Sequence, residues 1–168
     1  MRSSTNLLGS ALLAVATCVA APVMAQGQNI GSVTKQTLPR WVSMKAEEAN
    51  ARRGPSMNHR IDWVFQHRHM PLLVTAEYGH WRRVEDRDGV GGWVHYVLLS
   101  RSRTAIVDQS DLELRQQPFT ASPAMARAEK GAIVHLKTCK EGWCRVSGNG
   151  QRGWVPESSL WGASDPGG

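Results

Sequence analysis

Six histidines are the residues of this sequence best suited to hold a metal ion or to transfer a proton. His67 and His69 are two residues apart, a spacing that would place both on one face of a strand, and His59, His80 and His95 lie nearby in the chain. These five residues lack the tight ligand spacing of zinc sites. We therefore predict neither a metal nor a cofactor, and keep a histidine-rich metal-binding protein as a remote alternative.

Cysteine is the second residue type that could do chemistry here. Cys18 lies in the apolar N-terminal run, which leaves Cys139 and Cys144 as a pair in an exported product. The intervening Lys-Glu-Gly-Trp is typical of a hairpin connection, which would bring the two sulfurs opposite each other. Two thiols are too few for a metal site, and a redox pair more often has two intervening residues. We predict a local disulfide between Cys139 and Cys144.

Side chains for general acid, general base or nucleophilic catalysis are sparse. Glu85, Asp86 and Asp88 cluster in a predicted turn, where aspartate commonly serves the geometry of the backbone. No Gly-x-Ser-x-Gly nucleophile elbow occurs in the sequence. Because an active site needs several converging groups in one pocket, we predict that the protein is not an enzyme.

The elements that would position these residues repeat along the chain. Trp81-Arg-Arg-Val is followed by Gly92-Trp93-Val94, and Trp143-Cys-Arg-Val is followed by Gly153-Trp154-Val155. The spacing between the tryptophans is 12 residues in the first copy and 11 in the second, and the copies are offset by 61 or 62 residues. A fixed period of this length indicates two tandem structural units.

Within each unit the apolar residues follow the period of strands. Short apolar runs alternate with turns rich in Gly and Asp, which predicts about five short strands connected as hairpins. A sheet of so few strands can limit the unpaired backbone groups at its edges by curling into a small, partly open barrel. We predict an all-β protein of two tandem small barrels, over residues 41–102 and 103–162, with short helical turns near 44–48 and 124–129 as the exceptions.

The N-terminus predicts export. Arg2 precedes an apolar run over residues 7–21, and Val23-Met24-Ala25 places small residues where a signal peptidase cuts. We predict a signal peptide over 1–25 with cleavage after Ala25, a flexible leader over 26–40, and a frayed tail over 163–168. A retained membrane anchor and a lipoprotein cleaved before Cys18 stay as alternatives. The mature protein would be periplasmic or secreted, without stable membrane insertion.

Several segments carry a resemblance to a known family. They are Arg-x-Gly-Pro-Ser at 52–56, Ile-Asp-Trp-Val at 61–64, Pro-Leu-Leu-Val at 71–74, the run from Trp81 to His95, and Leu-Leu-Ser-Arg-Ser-Arg at 98–103. In these segments the chain resembles the exported bacterial SH3-like (SH3b) domain proteins. The resemblance implies two tandem SH3-type barrels in an exported, non-catalytic protein, and it names no ligand.

The segment Gly-Trp-Val-Pro-Glu-Ser-Ser-Leu at 153–160 is also similar to the last strand and helical turn of eukaryotic SH3 domains. That resemblance implies a groove lined by Trp143 and Pro156 in the second unit, and by Trp81 and His95 in the first. His95 departs from the family's proline, and no acidic, tyrosine-rich first loop is present. The resemblance therefore does not assign a proline-rich ligand.

Charge and aromatic residues favour the first unit as a binding surface. The chain has a net charge of +6, and many arginines fall in the first unit beside tyrosine and tryptophan. Such a surface suits an anionic polymer or an acidic protein patch, although ordinary solvated charge is the simpler interpretation. Export excludes nucleic acid and leaves peptidoglycan or a periplasmic protein or peptide as the partner. The predicted ligand-binding residues are Tyr78, Trp81, Arg83, Trp93, His95, Trp143 and Pro156.

Two functions of different classes follow from these observations. The first is a binding module that holds an envelope ligand in an aromatic groove flanked by arginine. The second is a structural or adaptor protein of the envelope, in which a sheet edge engages a partner chain and no ligand groove exists. The sequence predicts no oligomeric state.

Overall fold

The structure is a computed structural model that describes residues 29–166. The predicted signal peptide, its cleavage site and the last two glycines lie outside the described residues. Within the described range, no helix has the length and apolar character needed to cross a membrane.

Residues 29–100 form a short hairpin and a first curled sheet. The hairpin is β1 (Asn29–Ile30) and β2 (Thr37–Leu38). The sheet contains β3 (Arg40–Met44), β4 (Ala49–Arg52), β5 (Ile61–Phe65), β6 (Pro71–Tyr78), β7 (Trp81–Glu85), β8 (Gly91–His95) and β9 (Leu99–Ser100), with a 3₁₀ turn at Tyr96–Leu98. Its strand order is β5-β4-β8-β7-β6-β3-β9, and all neighbours are antiparallel. We refer to residues 40–100 as domain 1.

Residues 104–161 repeat this sheet element by element and are called domain 2. Its strands are β10 (Thr104–Val107), β11 (Leu112–Arg115), β12 (Ala124–Ala128), β13 (Ile133–Lys140), β14 (Trp143–Gly148), β15 (Gln151–Pro156) and β16 (Leu160–Trp161), with a 3₁₀ turn at Glu157–Ser159. The strand order, β12-β11-β15-β14-β13-β10-β16, is that of domain 1. The two units therefore share one topology.

Each sheet curls around its own apolar core. Val74, Val84 and Val94 are fully buried in domain 1, and Val146 and Val155 hold the matching positions in domain 2. The prediction of an all-β protein with two small barrels is confirmed. The expected five strands per unit were too few, because strands as short as β9 carry no detectable apolar period. The expected helical turn at 124–129 was wrong, since this segment forms strand β12.

The glycine of each repeated Gly-Trp-Val motif lies where the barrel closes. Trp93 pairs with Arg52 across β8 and β4, and Trp154 pairs with Arg115 across β15 and β11. A Cβ on Gly92 would lie 2.7 Å from the carbonyl oxygen of Arg52, and one on Gly153 would lie 2.7 Å from the Cβ of Leu114. Only glycine lets the two strands approach this closely.

The N-terminal segment differs from the flexible leader that we expected over 26–40. Its described part forms the β1–β2 hairpin, Leu38 joins the core of domain 1, and β3 already begins at Arg40. The tail also differs from the expected frayed segment: Ala163 is buried, and the Ser164 carbonyl accepts a hydrogen bond from Trp41. Both segments are held by tertiary contacts that leave no periodic pattern in the sequence.

Candidate binding site

Three predicted ligand-binding residues form a row across adjacent strands of domain 1. Tyr78 on β6 pairs with Trp81 on β7, and Trp81 pairs with His95 on β8. Directly opposite residues of antiparallel strands point to the same face of the sheet. The rings of Trp81 and His95 meet edge to face with centroids 5.4 Å apart. Trp81 is only 9% exposed whereas Tyr78 is 65% exposed, so Trp81 forms the base of the row and Tyr78 its accessible end.

Two further rings, which the sequence did not indicate as ligand-binding, extend this row. Tyr96 begins the 3₁₀ turn after β8, and its ring centroid lies 5.2 Å from that of His95. His80, in the turn between β6 and β7, lies 5.6 Å from Tyr96 and 5.8 Å from His95. We call these five residues the aromatic row. The signal for Tyr96 was its place directly after His95, which follows the repeated Gly-Trp-Val motif.

Arg83 and Trp93 form a second row on the same face. Both are two residues from members of the aromatic row on their own strands, so the pleat points them to the same side. Arg83 pairs with Trp93, which pairs with Arg52 on β4, and the three residues border a cleft of about 290 Å³. The structure thus places all five predicted residues of the first unit on one sheet face.

Trp143 and Pro156 occupy the matching face of domain 2. They pair directly across β14 and β15 and line a cleft of about 230 Å³. Asp111 and Glu113 also line this cleft, so its charge differs from the histidine-rich surface in domain 1. The residue opposite Trp143 on its other side is Lys140, at the register position that Tyr78 holds in domain 1.

The disulfide predicted between Cys139 and Cys144 is confirmed, and it bridges β13 and β14. The same cross-strand position in domain 1 holds Glu77 and Arg82. A covalent bond in one hairpin therefore replaces a buried ion pair in the other. The sulfurs leave no free thiol in the described residues for nucleophilic or redox chemistry.

Glu77 holds the N-terminal hairpin against domain 1. Its side chain is fully buried and accepts hydrogen bonds from the backbone amides of Val33 and Thr34 and from the Thr34 hydroxyl. Arg40 contacts the same carboxylate at 2.8 Å and Arg82 at 3.6 Å. Burial alone would raise the pKa of Glu77, but these hydrogen bonds and the Arg40 charge lower the pKa to about 2. Glu77 is thus ionised at any physiological pH.

A second cavity, the arginine cleft, opens beside the aromatic row. It has a volume of about 470 Å³ and lies between the N-terminal hairpin, β3 and the 3₁₀ turn of domain 1. Its charged walls are Arg40, Arg82 and Arg101, and its apolar walls include Val42, Leu99 and Tyr96. The Arg82 guanidinium lies 5.9 Å from the Tyr96 ring centroid, within cation–π range. Tyr96 therefore belongs to both surfaces. Arg40 was not predicted as a site residue, since no spacing in the sequence connects it to Arg82.

The histidines are dispersed over these surfaces. His67 and His69 lie in the loop between β5 and β6, so the expected shared strand face was wrong. His69 instead contacts His135 of domain 2, with ring centroids 4.7 Å apart, and burial together with the His69 charge lowers the pKa of His135. Among residues 29–166, no three His, Cys, Asp or Glu side chains converge as a metal site would require.

Two copies of a curled antiparallel sheet, each closed by Gly-Trp-Val and a 3₁₀ turn, define a tandem protein of small SH3-type barrels. The family model described as bacterial SH3 domain matches residues 45–101 and again 109–162. The chain belongs to this family, as the resemblance in the sequence indicated.

Comparison with other proteins adds two distant structures. NlpC2 from Trichomonas vaginalis is 12% identical over 73% of this chain and 47% of that chain, with a TM-score of 0.34. NlpC1 from Trichomonas vaginalis is 11% identical over 78% and 48%, with a TM-score of 0.33. The chain thus spans about half the length of these proteins. No curated protein matches it.

Proposed function

We propose that this protein is an exported, non-catalytic binding module of the cell envelope, and that domain 1 binds peptidoglycan through the aromatic row. The observation that carries the proposal is the row itself: the exposed Tyr78 and the half-exposed His95 flank the buried Trp81 on one face of the sheet. Rings held in this way present flat apolar surface at little cost in conformational entropy.

The chemistry of peptidoglycan suits this face. Its sugars offer apolar ring faces to aromatic side chains, and its peptides carry carboxylates that attract arginine. Arg83 follows Trp81 by two residues on β7, points to the same face of the sheet and is exposed. The two contributions are the ones expected at a binding face: aromatic contact area for affinity and a cation for orientation.

Export is supported by the disulfide and by the N-terminal sequence. Disulfides persist in oxidising compartments such as the periplasm, and Cys139–Cys144 is formed in domain 2. In the proposed division of roles, domain 1 binds the ligand and domain 2 is its disulfide-bonded support.

The structural or adaptor alternative is favoured by one specific observation. Strand β5 is an edge of the domain 1 sheet, and its Ile61, Trp63 and Val64 are exposed. An edge strand with exposed apolar side chains can pair with a partner chain. In that case a periplasmic protein would be bound at β5, and the aromatic row would have no ligand.

The two proposals separate in a sedimentation assay with purified peptidoglycan sacculi. We expect the chain lacking residues 1–25 to sediment with sacculi and Tyr78→Ala to weaken binding about tenfold, the loss typical of an interface aromatic. Lys140→Ala, at the equivalent position of domain 2, is the matched control and should bind as the unchanged protein does. Trp81 is not a useful probe, since truncating so buried a side chain would destabilise the barrel by about 3–5 kcal/mol.

Absence of sedimentation would contradict the peptidoglycan proposal. Equal loss in the Tyr78 and Lys140 variants would contradict the assignment to domain 1. Binding to sacculi that survives Tyr78→Ala but is lost in Trp63→Ala would assign the peptidoglycan contact to β5 and contradict its assignment to the aromatic row.

A further inference from the structure

We propose that the arginine cleft of domain 1 is a binding site for a carboxylate that carries a small apolar group, such as the C-terminus of a peptide. This site is separate from the peptidoglycan face of the aromatic row, although Tyr96 borders both. It does not depend on the proposed function, because a small carboxylate would bind here whatever polymer the protein recognises.

The charge balance of the cleft points to an anion. Arg40, Arg82 and Arg101 all line it, and among the described residues no Asp or Glu does. The nearest acid, Glu77, lies behind Arg40 and Arg82 and already accepts three hydrogen bonds from the N-terminal hairpin. The Glu77 carboxylate contacts Arg40 and Arg82 but not Arg101, so the three guanidinium groups leave an excess of positive charge on the cleft wall.

Two of the three arginines, Arg40 and Arg82, are held in place before any ligand arrives. The side chain of Arg82 is 9% exposed and that of Arg40 is 18% exposed. Arg82 donates to the carbonyl oxygens of Gly79 and Trp81, which fixes its orientation. Guanidinium groups that are already ordered lose little entropy when an anion binds.

One donor of Arg40 lacks a partner. Its Nη2 contacts Glu77, but its Nη1 is buried and has no hydrogen-bond acceptor among residues 29–166. A buried donor without a partner is unfavourable, and burial also lowers the pKa of Arg40 despite the Glu77 charge. A ligand oxygen would satisfy this donor once the side chains that cover Nη1 shift to expose it.

The remaining walls select a carboxylate with an apolar group over a bare ion. Val42, Leu99 and the Tyr96 ring also line the cleft and give it apolar surface beside its arginines. The Ser100 hydroxyl oxygen accepts from the Ser102 amide, so its proton can be donated to a ligand. At about 470 Å³ the cleft accommodates one or two small residues.

The test is an NMR titration of the chain lacking residues 1–25 with N-acetyl-Ala-Ala and, separately, with its C-terminal amide. We expect the acid to bind with a Kd on the order of 1 mM and to shift the backbone amides of Tyr96, Leu99 and Arg101, while the amide leaves them unchanged. Inorganic phosphate and sodium chloride at equal ionic strength separate a carboxylate site from general anion binding.

Arg101→Gln removes one cation from the cleft without disturbing Glu77, and we expect it to weaken binding of the acid about tenfold. Arg68→Gln, an exposed arginine outside the cleft, is the matched control and should leave Kd unchanged. Equal shifts with acid and amide, tighter binding of phosphate than of the acid, or an unchanged Kd in Arg101→Gln would each overturn the proposal. Sedimentation with sacculi reports the aromatic row, so failure of one proposal is distinguishable from failure of the other.

Discussion

Glu77 shows how a single residue joins an otherwise separate segment to domain 1. A residue with a Cβ at position 31 would collide with it, since an added Cβ on Gly31 would lie 2.5 Å from Glu77 Oε2. The carboxylate binds amides of the hairpin on one side and two arginines of the barrel on the other. Removing it would leave buried positive charge without compensation.

The acid stability of the protein follows from this residue. The folded pKa of about 2 lies below the ordinary value of 4.5, so Glu77 stabilises the fold fully above about pH 4.5 and loses this contribution as the pH falls toward 2. The shift corresponds to about 3 kcal/mol. Urea unfolding across this pH range should show that loss in the unchanged protein and little of it in Glu77→Gln.

Glu85→Gln is the control for this prediction, because the Glu85 side chain is 33% exposed and lies 3.9 Å from an exposed Arg83. Its effect at neutral pH should stay within about 1 kcal/mol, whereas Glu77→Gln should cost about 3–5 kcal/mol. Equal effects of the two substitutions would show that Glu77 is not the acid-sensitive residue.

At the scale of elements, the tips of the two long hairpins are stabilised by different interactions. The tip of β6–β7 is held by Glu77 and Arg82, and the tip of β13–β14 by the disulfide at the same register position. The Glu77–Arg82 pair is also packed against the N-terminal hairpin, whose Val33 and Thr34 amides donate hydrogen bonds to the Glu77 carboxylate. In domain 2 the linker residue Arg103 lies beside β13 instead, and its carbonyl accepts from the Leu136 amide.

The close approach of strands at the barrel closure can be tested with a matched pair of glycine substitutions. Gly92→Ala and Gly153→Ala force a Cβ against the facing strand, and each should destabilise its own domain by about 1–3 kcal/mol. Amide hydrogen exchange at Val84 and Val146 reports the two domains separately. Gly92→Ala should raise exchange in domain 1 more than in domain 2, and Gly153→Ala should do the reverse.

Gly150→Ala serves as the control, since its Cβ would meet nothing within 4 Å and only its left-handed backbone, at φ +76°, is strained. Its cost should be about 1 kcal/mol. If Gly92→Ala and Gly153→Ala cost no more than Gly150→Ala, close strand approach is not the reason for the repeated glycine.

At the scale of the whole molecule, the two barrels contact each other through residues that lie far apart in the sequence. The rings of Trp41 and Trp161 meet edge to face at 4.8 Å, and Trp41 Nε1 donates to the Ser164 carbonyl at 2.7 Å. Thr104 donates to the His69 carbonyl, and Arg87 pairs with Asp108. These contacts connect β3, the loop between β5 and β6 and the turn between β7 and β8 with domain 2.

Trp41 tests whether these contacts make the two domains unfold together. Trp41→Phe removes the hydrogen bond but keeps a ring, so it should lower the free energy of unfolding by about 1 kcal/mol. Trp41→Ala also removes the ring, so it should lower the free energy of unfolding by about 3–5 kcal/mol and split one unfolding transition into two. Calorimetry measures both effects. Two transitions already present in the unchanged protein would contradict coupling through Trp41.

Features that depend on local pattern could be predicted from the sequence. Alternating apolar runs and Gly–Asp turns predicted strands, the fixed period predicted two tandem barrels, and the short spacing of Cys139 and Cys144 predicted their bridge. Each of these follows from neighbours in the chain, where period and turn chemistry apply directly. The same logic placed Tyr78, Trp81 and His95 in consecutive hairpins.

Contacts between distant segments could not be predicted from the sequence. The hairpin at 29–38 was mistaken for a flexible leader because the carboxylate that orders it lies about 40 residues away, at Glu77. The arginine cleft was missed for the same reason, since Arg40, Arg82 and Arg101 come from separate strands and a loop. Charge and burial act through space, whereas the sequence displays only separation along the chain.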